Sequence, residues 1–126
     1  NELMSDDSSK QSQEEDSFAT APYSILVVDD NPDLTDFLKK ALGEYFKRIL
    51  TASDGVEALQ LIKSHTPDII VSDVMMPRMN GYELCKNIKE DIAISHIPVI
   101  LLTARDDKQS QMSGYKNGAD AYLTKP

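Results

Sequence analysis

The sequence predicts an α/β fold, a doubly wound three-layer arrangement in which a five-stranded parallel sheet carries helices on both faces. Three observations predict it. From residue 23 onward, short apolar runs alternate with stretches of helical periodicity. The runs are apolar almost throughout, the mark of strands covered on both faces. Cap and turn residues at Asp29-Asp30-Asn31-Pro32, at Asp54-Gly55 and at Asn80-Gly81 separate each run from the stretch that follows.

The elements follow in order. Ile25-Leu26-Val27-Val28 is a wholly apolar first strand, and the Asp-Asp-Asn-Pro segment after it suits a helix start that tolerates proline. Leu34, Phe37, Leu38, Ala41, Leu42 and Tyr45 then recur at helical spacing and form one apolar stripe. Residues 46–53 make a second, less apolar strand, nearer an edge. Asp54 opens a second helix with Glu57 three residues on, a loose capping box. Ala58, Leu61 and Ile62 share one face of that helix, and Pro67 breaks it. Residues 68–73 form the third strand, 75–81 a loop, 82–90 the third helix and 97–103 the fourth strand. A weaker fourth helix over 106–117 is stopped by Gly118, and Ala121-Tyr122-Leu123 is a short fifth strand.

The totals bound the function. At 126 residues there is room for one domain. No apolar run approaches the ~20 residues of a membrane span, and the N-terminus lacks a secretory pattern. The lone Cys85 forms no internal disulfide, and Cys and His do not cluster as in a zinc site, so a reducing, cytoplasmic setting is expected. A net charge of −8 argues against direct binding of nucleic acid. Six acidic residues against one lysine in residues 1–20 supply −5 of that charge. Together with their serines and glutamines, this marks residues 1–22 as a disordered acidic linker or tail ahead of a domain at 23–126.

Parallel strands place all their carboxyl ends along one edge of the sheet, where ligand sites of open α/β folds lie. The first strand ends at Asp29-Asp30, the third at Asp73, the fourth at Thr103 and the fifth at Thr124-Lys125. Singly, each has a plain reading: a helix cap, a strand-end turn, a surface lysine. Together, if the first and third strands are neighbours, they bring three carboxylates into one pocket. Such oxygen ligands suit a hard ion such as partly hydrated Mg²⁺, with Lys125 and Thr103 placed to meet an anion.

Residues 24–126 resemble a response-regulator receiver domain, the phosphoacceptor module of two-component signalling. The resemblance rests on Val27-Val28-Asp29-Asp30-Asn31, on Asp73-Val74-Met75-Met76-Pro77 with Asn80-Gly81, on Leu102-Thr103-Ala104, and on residues 118–126 (GADAYLTKP). It implies a flavodoxin-like strand order of 2-1-3-4-5. It also implies that Asp73 is the phosphorylated residue, and that Asp30 and Asp73 ligate Mg²⁺ directly, Asp29 mostly through water and Met75 through its backbone carbonyl. Lys125 would pair with Asp73 and then with its phosphoryl group. Thr103 would hydrogen-bond a phosphoryl oxygen, and Tyr122 would be the aromatic switch that follows it. Met75 and Arg105 match positions that tune the phosphoryl lifetime.

A haloacid dehalogenase-type phosphatase also uses an aspartyl nucleophile with Mg²⁺, but would want an acid/base aspartate where this chain has Met75. A receiver-like binding module that is never phosphorylated is the other alternative. Neither His65 nor His96 has a carboxylate or cysteine partner nearby in sequence, so structural or surface roles are expected, and Cys85 reads as a small core residue. The sequence ends at Lys125-Pro126, where a receiver would continue into a fifth helix, so one face of the sheet is expected to be undercovered. Any homodimer would use the face of the fourth helix and fifth strand. Residues 81–86 and 95–104 resemble receivers of hybrid sensor histidine kinases of the Bacteroidetes type. There a receiver and a helix-turn-helix DNA-binding output domain follow the kinase on one chain, and one version of this reading makes the segment the cytoplasmic part of a membrane-anchored kinase; a stand-alone response regulator is the alternative.

Overall fold

Five parallel strands, β1 (Ser24–Val28), β2 (Arg48–Ala52), β3 (Ile69–Asp73), β4 (Val99–Thr103) and β5 (Ala121–Thr124), form one sheet in the order β2-β1-β3-β4-β5. The structure is a computed structural model and describes residues 23–103 and 118–125. The expected linker at 1–22, the fourth helix at 106–117, Arg105 and Pro126 lie outside the described residues. Three helices connect the strands: α1 (Pro32–Leu42), α2 (Gly55–His65) and α3 (Gly81–Glu90). The predicted doubly wound α/β class and its strand order are both observed.

Alternation along the strands explains the layers. Leu26 and Val28 of β1, Ile70 of β3, and Val99 and Leu101 of β4 point to one face, where they pack with Ala58 and Ile62 of α2 and Leu84, Cys85 and Ile88 of α3. Burial pushes the Cys85 thiol up to about 11, so at neutral pH it is an inert, protonated core group. The opposite face carries Ile25 and Val27, both buried, and packs mainly on α1 through β1 and β2. Ile69, Val71, Ile100 and Leu102 are only half-buried there.

The first two helix caps lie among the residues the sequence offers for them, while the third, Asn80, was expected only as a turn residue at the end of a loop. Asn31, not Asp29 or Asp30, caps α1: its Oδ1 accepts from the Asp33 N–H at 3.0 Å. Asp54 caps α2 by accepting from the Glu57 N–H (2.9 Å), while Glu57 Oε1 accepts from the N–H of Ser53 (2.6 Å), one residue before the cap. Asn80 and Glu83 close a full reciprocal capping box on α3. At the far end of α2, Thr66 takes a left-handed φ of 43° as the C-cap, its N–H donating to the Ile62 carbonyl (2.9 Å).

The apolar stripe of the first helix is where expectation and structure part. α1 ends at Leu42, and Tyr45 sits in the turn beyond, its N–H donating to the Leu42 carbonyl (2.9 Å). Phe37 is 62% exposed and Ala41 is also exposed, so the stripe is wider than the contact that α1 makes with β1 and β2.

Polar groups at the amino edge of the sheet are closed by side chains. Asp68 Oδ2 accepts from the Ser24 N–H (2.7 Å). Lys89, near the end of α3, donates to the carbonyls of Ser95 (3.2 Å) and Ile97 (2.8 Å) and pairs with Asp120 Oδ2 at 2.8 Å. The same Asp120 oxygen accepts from the Val99 N–H (2.8 Å), and Asp120 N–H returns a bond to the Val99 carbonyl (2.9 Å), so one carboxylate starts both β4 and β5.

Two outcomes follow. Leu84 is fully buried between α3 and the sheet, so Leu84→Ala is expected to cost about 2–5 kcal/mol of unfolding free energy, read by urea titration. Burial alone would raise the Asp120 pKa, but the Lys89 ammonium and the Val99 N–H outweigh it and hold the carboxyl below its ordinary value. The folded state then binds fewer protons than the unfolded one. The stabilisation is complete above the unfolded value of ~4 and is lost as pH falls through the folded value. In thermal melts, Asp120→Asn should therefore sit below the parent Tm at pH 6, and the gap should close towards pH 2.

Candidate functional site

The carboxyl edge gathers the predicted residues. β1 pairs with β3 in parallel register (Val28 opposite Ser72), so Asp29-Asp30 and Asp73 emerge side by side. β3 pairs with β4 (Asp73 opposite Leu102), and β4 with β5 (Thr103 opposite Thr124), which brings Lys125 to the same edge. The Lys125 N–H donates to the Thr103 carbonyl at 2.8 Å and fixes the lysine's backbone there. One carboxylate oxygen from each of Asp29, Asp30 and Asp73 falls within 4.8 Å of the other two. Asp29 and Asp73 are buried, and Asp30 is exposed.

Each buried carboxylate is held by a local amide. Asp29 Oδ1 accepts from the Asn31 N–H (2.9 Å), and Asp73 Oδ1 accepts from the Val74 N–H (2.8 Å). Lys125 Nζ lies 2.9 Å from Asp73 Oδ2 and 3.5 Å from Asp29 Oδ2. The longer contact is an ion pair without a hydrogen bond, which leaves Asp29 Oδ2 buried and unpartnered. Burial, then the Asp73 charge, raises the Asp29 pKa, and the Asn31 N–H and Lys125 only partly oppose them. Burial would lower the Lys125 pKa, but its pairing with Asp73 and then Asp29 wins and raises it. The lysine stays an ammonium at neutral pH.

This donor set fits a hard cation. It offers oxygen ligands only, carries more negative than positive charge, and includes a buried carboxylate oxygen that accepts no hydrogen bond among the described residues. Thr103 Oγ1 is also buried without a hydrogen-bond partner among the described residues, at the end of β4 beside Lys125. Tyr122 is partly buried against the core on β5. Met75 lies two residues beyond Asp73 with its side chain 76% exposed, while Met76 and Met79 of the same loop pack on the core. The expected surface roles of His65 and His96 agree with their exposure.

Two features escaped sequence reasoning. Arg78 adopts φ 65°, and its guanidinium meets Asp54 Oδ2 through Nε (2.8 Å) and Nη2 (2.7 Å). Asp54 was legible only as a cap, and an arginine gives no hint of a left-handed position, which glycine or asparagine would have signalled. The Lys89–Asp120 pair joins residues 31 apart and has no local pattern.

Comparison with known proteins agrees with the fold. The response regulator receiver domain family matches residues 25–126. The chain is 47% identical over 102 residues to histidine kinase P4 of Formosa agariphila, covering 81% of this chain and 7% of that one. It is 42% identical over 105 residues to the response regulator MprA of Mycobacterium sp., covering 83% and 45%. It thus spans less than half the length of either relative. Among solved structures, the signal receiver domain of a signal transduction histidine kinase from Syntrophus aciditrophicus superposes with a TM-score of 0.77 at 38% identity, covering 82% of this chain and 79% of that one. The chemotaxis response regulator CheY4 of Vibrio cholerae gives 0.78 at 30% identity, covering 84% and 88%. The shared sheet order, the acidic edge and these matches together make the chain a member of the response regulator receiver domain family of two-component signalling.

Proposed function

We propose that this receiver accepts a phosphoryl group on Asp73 from a phosphohistidine of a histidine kinase, with Mg²⁺ held by Asp29, Asp30, Asp73 and the Met75 carbonyl. The observation that carries the reading is the 2.9 Å pairing of Lys125 with Asp73 beside two further carboxylates. The ion, when bound, supplies positive charge to the phosphoryl oxygens and orients them. A carboxylate oxygen of Asp73 attacks phosphorus in line. The new O–P bond forms as the P–N bond to the donor imidazole breaks, and the imidazole keeps the electron pair. Lys125 moves its pairing from the free carboxylate to a phosphoryl oxygen, so the added charge meets a cation already in place. Thr103 Oγ1, buried and unpartnered, donates to another phosphoryl oxygen, and Tyr122 follows that movement as the second half of the switch. The product is an acyl phosphate that water later cleaves.

The wider reading takes a cytoplasmic histidine kinase, on the same chain or a separate one, as donor. It takes an output domain of helix-turn-helix DNA-binding type as recipient. The identity to histidine kinase P4 supports the hybrid arrangement, and the match to MprA is what a stand-alone regulator would give.

Intact mass after incubation with acetyl phosphate and Mg²⁺ tests the centre of this reading. One phosphate adduct is expected, absent without Mg²⁺ and absent in Asp73→Asn; an undiminished adduct in that variant would place the acceptor elsewhere. Lys125→Ala should slow adduct formation on the order of 10²-fold, the usual loss when one preorganised donor to developing charge is removed.

A further inference from the structure

We propose that the Asp54–Arg78 ion pair positions the loop that follows Asp73 and thereby sets the Mg²⁺ affinity of the acidic edge. The inference rests on the reading of that edge as a Mg²⁺ site and assigns two residues outside it a role towards the ion.

The loop of residues 74–80 leaves β3 directly after Asp73 and carries Met75. Its base is closed by the Gly81 N–H, which donates to the Val74 carbonyl at 2.9 Å. Gly81 also lies so near the Asp73 carbonyl that a Cβ there has no room. The tip is tied to the start of α2. Arg78 places two nitrogens on Asp54 Oδ2, and the Gly55 N–H donates to the Met79 carbonyl at 3.2 Å. A Cβ on Gly55 would fall 2.7 Å from Met79 Cγ, so the two segments are in direct contact.

The anchor is shared. The turn that holds the loop tip also holds the other side of the site, because the Asp29 N–H donates to the Ala52 carbonyl at 3.0 Å. A cavity of about 360 Å³ beside it is lined by Asp29 and Asp30 from one side and by Ala52, Ser53 and Glu57 from the other. Residues 52–57 therefore touch both the end of β1 and the tip of the loop after β3, and both of those would supply oxygens to one ion. Arg78 is the adjustable member. Its left-handed backbone is unfavourable for a residue with a Cβ, and the guanidinium contacts oppose its relaxation. Asp54 is nearly buried and fixed by the Glu57 N–H, so the pair has one rigid end. Side chains that orient a metal's ligands from outside the ligand set commonly change affinity without touching the ion.

A role confined to capping α2 is separable, because Asp54→Asn keeps an oxygen for the Glu57 N–H but loses the charge and the second oxygen that accepts from Arg78. On the full chain and without any phosphodonor, calorimetric titration with Mg²⁺ would compare the parent with Asp54→Asn, Arg78→Gln, the double variant and Arg78→Lys. Each of the first two should weaken Mg²⁺ about 3–10-fold, and the double no more than either single, since they break one interaction. Arg78→Lys should recover part of the loss. Amide exchange over 74–80 in metal-free protein should quicken in both singles, with exchange across α2 unchanged. A Mg²⁺ affinity within twofold of the parent in both singles, or additive losses in the double, overturns the proposal. A parent that binds no Mg²⁺ overturns it as well, and in that case the Mg²⁺ reading fails first.

Discussion

The ion pair between Lys125 and Asp73, 2.9 Å across the carboxyl edge of the sheet, holds together charges that would otherwise disperse. Three carboxylates stand with oxygens within 4.8 Å of one another, two of them buried. At that separation each like-charge pair repels by roughly 3 kcal/mol at an effective dielectric of about 20. One ammonium cannot neutralise three such groups, and Asp29, its pKa raised first by burial and then by the Asp73 charge, keeps an Oδ2 that accepts no hydrogen bond among the described residues. The site is short of positive charge by construction, and a divalent cation is the simplest addition that corrects it. Lys125 keeps the edge tolerable without the ion and is placed to meet a phosphoryl group once it arrives.

The two edges of the sheet treat polar groups in opposite ways. At the amino edge, Asp68 takes the Ser24 N–H and Asp120 takes both Lys89 and the Val99 N–H, so these exposed and half-buried donors and acceptors are matched within the protein. At the carboxyl edge, Asp29 Oδ2 and Thr103 Oγ1 are buried without hydrogen bonds. An unmet buried polar atom costs about 1–3 kcal/mol. Tyr82 Oη shares that deficit among the described residues, but at the carboxyl edge the deficit sits where a cation and an anion can remove it. Stability comes from the amino edge and from the layer formed by α2, α3 and the sheet, which frees the other edge to be kept unsatisfied.

Much of this was legible in the sequence, for physical reasons that differ element by element. Strands such as Ile25–Val28 carry their own signal because burial on both faces demands an apolar residue at every position. Asn31 and Asp54 announce helix starts because orphan N–H groups need an acceptor a fixed number of residues away. Parallel alternation then turns local strand ends into a spatial cluster, so Asp29, Asp30, Asp73, Thr103 and Lys125 could be grouped before any coordinates. What failed were contacts that strand order does not fix. Phe37 belongs to a faultless helical stripe, yet is 62% exposed, because periodicity says which side of α1 is apolar and not how far its neighbours reach. Lys89 and Asp120 meet only because α3 runs back to the start of β4.

Arg78 is the sharpest case of the same limit. Its chemistry suggests a solvated surface residue, and 60% of its side chain is indeed exposed. Exposed ion pairs usually contribute about 0–1 kcal/mol to stability, which would make this one negligible in a list of stabilising contacts. Global stability is the wrong scale for it, however. A left-handed residue in a short loop has a nearby, better backbone basin to fall into, at a gain of roughly 1 kcal/mol or more. Opposing a difference of that size takes only a weak interaction, and the loop it restrains begins one residue after Asp73. A small energy, applied where the backbone is closely balanced, controls geometry more than the same energy spent in the core.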